Sequence, residues 1–384
     1  MLAPSTLTIV TSAVPEGAAR ARAIATWTAV GAGGGAAGGL VGGVLVDQLS
    51  WRWVLLINVP SRGRPDRRPR PAPREPRRGP PSPGPAGRLL VTAGLATLAY
   101  GISRTEAEGW TAAAALVPLA AGLALVALFL AVEARTAAPL MPLGLLRRRS
   151  VSSANVAMLL CGSAMFSMWY FMTLYAQNVL GYTPLEAGLA LMPSSLAVVL
   201  GSKLAPRLMR TLGARTVAAL GALTATAGFG WQSTMTADGA YLTAIMLPGV
   251  LMMLGAGLSA TPLASLATAG AAPGEAGLVS GLVNTSRTMG GSLGLAVLST
   301  LATGRTDGRG TPEALTAGYA LAFRAGAVVM ALGVALMLVW LPRRAERPGP
   351  VEAPRQNDPG TDPATPAPAQ ADRAGPKDTG ISAR

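Results

Sequence analysis

Residues 21–46 read ARAIATWTAVGAGGGAAGGLVGGVLV, a run whose one charge is Arg22. A helix of about 20 apolar residues crosses the hydrocarbon core of a bilayer, and membrane helices accept glycine more readily than soluble ones. Within the run, Gly34, Gly38 and Gly42 recur every four residues, as do Gly35, Gly39 and Gly43. At helical spacing these positions form a stripe without side chains, which predicts close approach of a second backbone.

The same length test, carried outward, predicts further spans at roughly 88–104, 112–132, 151–176, 184–204, 214–235, 243–268, 277–301 and 318–341. Residues 1–14 are apolar but short, and they lack the basic start of a signal peptide. The expected fold is an all-α polytopic membrane bundle, about nine full spans with part of another before them. Residues 343–384 are rich in Pro, Ala, Asp and Arg and are expected to be a disordered cytoplasmic tail.

Composition agrees with that reading. Half of the 384 residues are hydrophobic and 13% are charged, against about a quarter in soluble domains. A mean hydropathy of +0.41 needs many lipid-facing segments. The net charge of +14 lies mostly between apolar segments, which points to cytoplasmic loops rather than nucleic-acid binding. Without histidine the chain has no His metal site, Ser-His-Asp triad or histidine relay. No Walker, zinc-protease or dinucleotide-binding pattern stands in its proper context, so neither an enzyme nor an ATP-driven pump is indicated. The lone Cys161 reads as a small hydrophobe.

Loop charge orients the spans. Arg147, Arg148 and Arg149 precede one span; Lys203, Arg207, Arg210 and Arg215 join two others; Arg343, Arg344 and Arg347 follow the last. The alternate loops carry little net positive charge, so from residue 88 onward both ends of an eight-span block are cytoplasmic. Upstream the parity fails, because Arg20 and Arg22 place the start of 21–46 inside and one more crossing is then needed before residue 88. Residues 61–87 hold eight arginines and nine prolines. Proline removes backbone donors, and arginine at mid-bilayer is costly. Two readings stand: a basic loop touching anionic headgroups, or translation in a wrong frame.

Several runs resemble one family. In drug/proton antiporters of the major facilitator superfamily the fifth helix carries G-x-x-x-G-P-x-x-G-G. Gly34, Gly38, Gly42 and Gly43 match it, and Gly39 stands in the proline's place. Asp47, Trp51, Arg52, Trp53, Asn58 and Pro60 resemble the outer turn after that helix in the fourteen-span subgroup. Tyr175, Gln177, Gly181, Pro184, Glu186 and Pro193 are similar to the junction of the ninth and tenth helices. Arg207, Gly213 and Arg215 resemble a second copy of the cytoplasmic loop motif, in which Met209 or Arg210 fills the acidic position. Asn284, Arg287, Gly290, Gly291 and Gly294 are similar to the thirteenth helix.

The resemblance implies proton-coupled efflux of small amphipathic drugs or metabolites by alternating access, in a bacterial plasma membrane. It implies no cofactor, energy from the proton gradient, the bilayer and a small solute as partners, and no obligate protein partner. It divides the chain into 1–46, the end of helix four and helix five; 47–60, the outer turn; 61–87, the anomalous tract; 88–132, two central linker helices; and 151–342, a C-terminal six-helix half. Met1 would then fall inside the fourth helix, and the chain would be an N-terminally truncated exporter. Its remaining acids, Asp47, Glu106, Glu108, Glu133 and Glu186, lie at span ends, so the chain alone is not expected to couple protons to transport. A non-transporting membrane scaffold and a decayed transporter fragment are the alternatives.

Candidate cavity or gating residues are Asn155, Tyr170, Tyr175, Gln177, Glu186, Asn284 and Arg287, with Ser163 and Ser167 beside them. Interhelical hydrogen bonds are the competing role for these polar groups. For Arg287, snorkelling to the headgroups is the expectation. Met165, Met168 and Met172, at helical spacing, are either a compliant drug surface or packing.

Overall fold

The computed structural model describes residues 18–57, 85–136, 144–269, 276–306 and 310–342, together with Thr6, Ile9, Val10, Ala13 and Val14. In chain order the helices are α1 (Ala18–Gln48), α2 (Trp51–Leu56), α3 (Pro85–Glu108), α4 (Ala113–Arg135), α5 (Gly144–Arg147), α6 (Arg149–Leu174), α7 (Pro184–Ala190), α8 (Met192–Leu212), α9 (Ala214–Gln232), α10 (Leu247–Thr268), α11 (Ala276–Thr306) and α12 (Pro312–Trp340). A π-helical turn, Tyr175–Val179, extends α6, and another, Leu242–Met246, precedes α10. No strand occurs among the described residues.

Each predicted span falls on one of the long helices. By length and composition, 5 segments among the described residues are apolar enough to cross a membrane: Ala113–Arg135, Arg149–Val179, Pro184–Leu212, Leu242–Thr268 and Pro312–Trp340. The span expected to begin at 88 starts earlier, at Pro85. Proline suits a first helical turn, where its missing N–H has no partner to lose. Asn58, Pro60 and the rest of the tract through 84 lie outside the described residues, as does the tail beyond 342.

Helices α6 and α8 through α12 pack as one group, with α10 between α8 and α9, and α11 and α12 against α6. Helix α1 lies on α7, α8 and α10, whereas α3 and α4 form a hairpin whose α3 side touches α11. Small residues let these backbones meet. An ideal Cβ on Gly221 of α9 would stand 2.6 Å from Ser259 N of α10, and one on Gly257 of α10 would stand 2.7 Å from Ser202 N of α8. In the hairpin, a Cβ on Gly101 would meet Leu119 N at 2.8 Å and one on Gly122 would meet Leu98 N at 2.8 Å. Aromatic rings fill the space where the helices part: Phe171–Phe323 centroids are 6.3 Å apart and Phe229–Phe323 centroids 5.7 Å.

Hydrogen bonds join ends that the loop charges place on the same side. Arg149, at the start of α6, donates to Trp340 O at 2.8 Å and Val339 O at 2.9 Å, closing the carbonyl end of α12 with a cation. Ser150 Oγ donates to Leu266 O at 2.7 Å, near the end of α10. On the opposite side, Tyr175 Oη donates to Thr236 O at 2.6 Å, and Trp110 Nε1 donates to Thr300 Oγ1 at 2.9 Å.

Candidate functional site

A cavity of about 760 Å³ opens between α1 and the helices of the C-terminal group. Trp27, Thr28, Val30 and Gly31 of α1 form one wall. Met158, Cys161, Met165, Phe166 and Trp169 of α6 form the facing one, with Met253, Ala256, Ser259 and Leu263 of α10, Val198 of α8, Met330 of α12 and Arg287 of α11 completing it. The lining is apolar, aromatic and rich in methionine, with few polar atoms. That is the usual make-up of a small-molecule site, and methionine's unbranched chain lets such a wall adapt to different shapes. Gly31 holds the α1 wall open, since a Cβ there meets nothing within 4 Å.

Arg287 is the one charged side chain among the described lining residues. Its place is set by backbone contact: a Cβ on Gly162 would meet Arg287 C and Cα at 3.2 Å, so α6 and α11 touch there. The guanidinium donates from Nη2 to Asn284 Oδ1 at 3.4 Å. Arg287 therefore belongs to the cavity wall. It stands eleven residues into α11, roughly 16 Å along the axis.

The other candidates divide by geometry. Met165 lines the cavity, whereas Met168 and Met172 are wholly buried in the helical core. Asn155 is buried outside the cavity: its Nδ2 donates to Val151 O at 2.8 Å, and Ser286 Oγ donates to its Oδ1 at 3.1 Å, linking α6 to α11. Ser163 and Ser167 donate within α6, to Leu160 O and Ser163 O. Tyr175, fully buried, is tied to Thr236 instead of facing a solute. Tyr170 is exposed, with its ring edge-on to Phe171 at 5.3 Å.

Glu186 is a helix cap, not a cavity acid. Its Oε2 accepts from Thr183 N at 2.8 Å while Glu186 N donates to Thr183 Oγ1 at 3.2 Å, a reciprocal capping box at the start of α7. Gln177 lines a second cavity, of about 320 Å³, with Gly38, Gly42, Gly43, Trp169 and Thr173.

The glycine stripe of α1 differs from expectation. Cβ atoms on Gly34, Gly38 and Gly42 would meet nothing within 4 Å, so this side of α1 borders open space rather than a backbone. Gly43 alone of the four matched glycines makes the close approach, 3.1 Å from its Cβ position to Pro184 O. The surroundings of Gly39 lie outside the described residues. Asp47 is exposed and accepts from Gln48 Nε2 at 3.2 Å, and in α2 the exposed Arg52 lies 5.5 Å from the Trp51 ring centroid beside exposed Trp53. At the cytoplasmic loop, Gly213 takes φ +80° and closes α8 onto α9, with Arg207 exposed and Arg215 half-buried. Arg324, exposed twelve residues into α12, is an intramembrane cation that the span-by-span reading missed. Its signal was plain, a lone arginine inside an apolar run.

A many-helix bundle with a solute-sized, mostly apolar cavity between α1 and the C-terminal helices has the make-up of a membrane transporter. The chain belongs to the Major Facilitator Superfamily, whose pattern matches residues 84–295. It is 44% identical over 356 residues to the Cephamycin export protein CmcT of Amycolatopsis lactamdurans, covering 91% of this chain and 72% of that protein. It is 32% identical over 357 residues to the Puromycin resistance protein pur8 of Streptomyces alboniger, covering 88% and 70%. A Multidrug resistance protein B homolog of Mycobacterium tuberculosis is 31% identical over 269 residues, 67% of this chain and 49% of that one. The chain is thus a multi-pass transporter-family protein of the bacterial plasma membrane.

Proposed function

We propose that this chain serves efflux of small amphipathic molecules, held in the cavity between α1 and the C-terminal helices and moved by alternating access. The cavity itself carries the reading: about 760 Å³ of mainly apolar, methionine-lined space between α1 and the C-terminal helices. That matches solute sites placed where the parts of a transporter rock against each other. Relatives named for export of, or resistance to, antibiotics and drugs support the direction of transport. The outer-turn run Asp47 to Pro60 and the hairpin α3–α4, read as central linker helices, favour the fourteen-span subgroup.

In the antiporters that the chain resembles, energy would come from the proton gradient with no cofactor, but this chain alone does not couple to that gradient. Coupling needs a buried acid that alternates between proton and substrate. No carboxylate lies among the described lining residues, so none of those residues is the coupling acid. In inside-out vesicles the chain should give saturable, downhill uptake of an amphipathic dye that an imposed pH gradient does not raise. Concentrative, gradient-driven uptake would overturn the coupling part. Uptake no greater than in empty vesicles would overturn the transport part.

A further inference from the structure

Among the described lining residues the cavity has one charge and no carboxylate. Arg287 forms no ion pair among the described residues, and its hydrogen bond to Asn284 Oδ1, at 3.4 Å, is long. Arg287 is exposed and lies in the cavity wall, and its hydrogen bond to Asn284 leaves other guanidinium N–H groups without an acceptor among the described residues. The guanidinium offers five donors in a planar fork, so most of its capacity is unused. The same cavity is lined by Met158, Met165, Met253, Phe166 and Trp169, which contribute no acceptor of comparable strength. A cation kept in apolar surroundings without a counterion is costly. At Gly162 the α11 main chain at Arg287 lies directly against α6.

Resting on the export reading above, we propose that this cavity selects amphipathic anions, an apolar or aromatic body carrying one carboxylate, and that Arg287 is the residue that binds the carboxylate. The planar fork matches a carboxylate in bidentate fashion, and the methionine and aromatic walls take the body. A neutral analogue forfeits the charge-assisted bonds, and a cationic one meets a like charge. An anionic lipid headgroup offers related chemistry, so the lipid is varied in the test.

The chain in phosphatidylcholine nanodiscs is dialysed to equilibrium against radiolabelled 1-naphthylacetate and, separately, the neutral 1-naphthylacetamide, with empty discs subtracted. The carboxylate should bind about tenfold tighter or more. Arg287→Gln should erase the difference while leaving amide binding intact, and Arg287→Lys should retain part of it. Equal binding of the two compounds by the unaltered protein, or an undiminished preference in Arg287→Gln, overturns the proposal and leaves the export reading standing. Binding of neither compound removes the solute cavity itself and with it both readings. Loss of the preference in discs containing phosphatidylglycerol assigns the guanidinium to lipid phosphate and also overturns the proposal.

Discussion

Replacing Gly221 with alanine places a Cβ 2.6 Å from Ser259 N and 2.7 Å from Gly255 O, both backbone atoms of α10. Non-bonded heavy atoms settle near 3.5 Å or slightly beyond, so α9 and α10 must part by about 0.9 Å. Neither contact is the end of a flexible side chain, and the strain cannot be relieved by a rotamer. Overpacking of this kind costs about 1–3 kcal/mol, a fall in apparent melting temperature of about 2–6 °C. The same substitution at Gly34 of α1 meets nothing within 4 Å. There alanine removes glycine's backbone freedom from the unfolded side of the balance, a gain of about 0.5–1 kcal/mol. The assay is thermal unfolding of each variant in one detergent, followed by the soluble monodisperse fraction. Gly221→Ala should melt lower and Gly34→Ala at or above the parent. If Gly34→Ala is the more damaging of the two, the assigned packing faces are wrong.

Further expectations follow from single contacts. Glu186→Gln keeps an acceptor for Thr183 N and should leave both stability and transport unchanged, while Glu186→Ala should cost about 0.5–2 kcal/mol in thermal unfolding; arrested transport in Glu186→Gln would instead make it a working acid. Tyr175→Phe deletes the 2.6 Å bond to Thr236 O and should lower stability by about 1 kcal/mol, read by the same melt, without changing solute affinity. Cys161, the chain's one cysteine, lies in the cavity wall and is nearly buried, so a maleimide should label it slowly, and a bound solute should slow it further in a timed mass-shift assay. Gly213→Ala forces a Cβ into positive φ, costing about 1–2 kcal/mol at the turn joining α8 and α9, again visible on melting.

Helix placement was legible because hydropathy and length are properties of each segment alone. Sidedness was legible too: the arginines that mark one face in the loops include Arg149, which in the fold caps the end of α12 on that same face. The role of a glycine was not legible, because it depends on what faces it. Gly34, Gly38 and Gly42 have the spacing of a packing stripe yet border open space, while Gly221 and Gly257, in no recognised stripe, carry backbone contacts. Glu186 was readable from Thr183, three residues before it, a capping pair at the start of a helix. Its resemblance to a family motif drew it toward gating instead. Arg287 was visible as an arginine inside a span, but the choice between headgroups and cavity needed α6 beside it.

The central claim is that the cavity between α1 and the C-terminal helices is the path of the solute. Gly31 lines it with free space at its Cβ position, so Gly31→Trp places an indole from the α1 wall into the solute space, whereas Gly31→Ala barely alters it. The measurement is downhill uptake of a fluorescent amphipathic solute into proteoliposomes holding the parent, Gly31→Ala or Gly31→Trp at matched protein content and orientation. Uptake should be saturable with the parent and with Gly31→Ala and be lost in a folded Gly31→Trp. Equal uptake by all three, or none by the parent above protein-free liposomes, would contradict it.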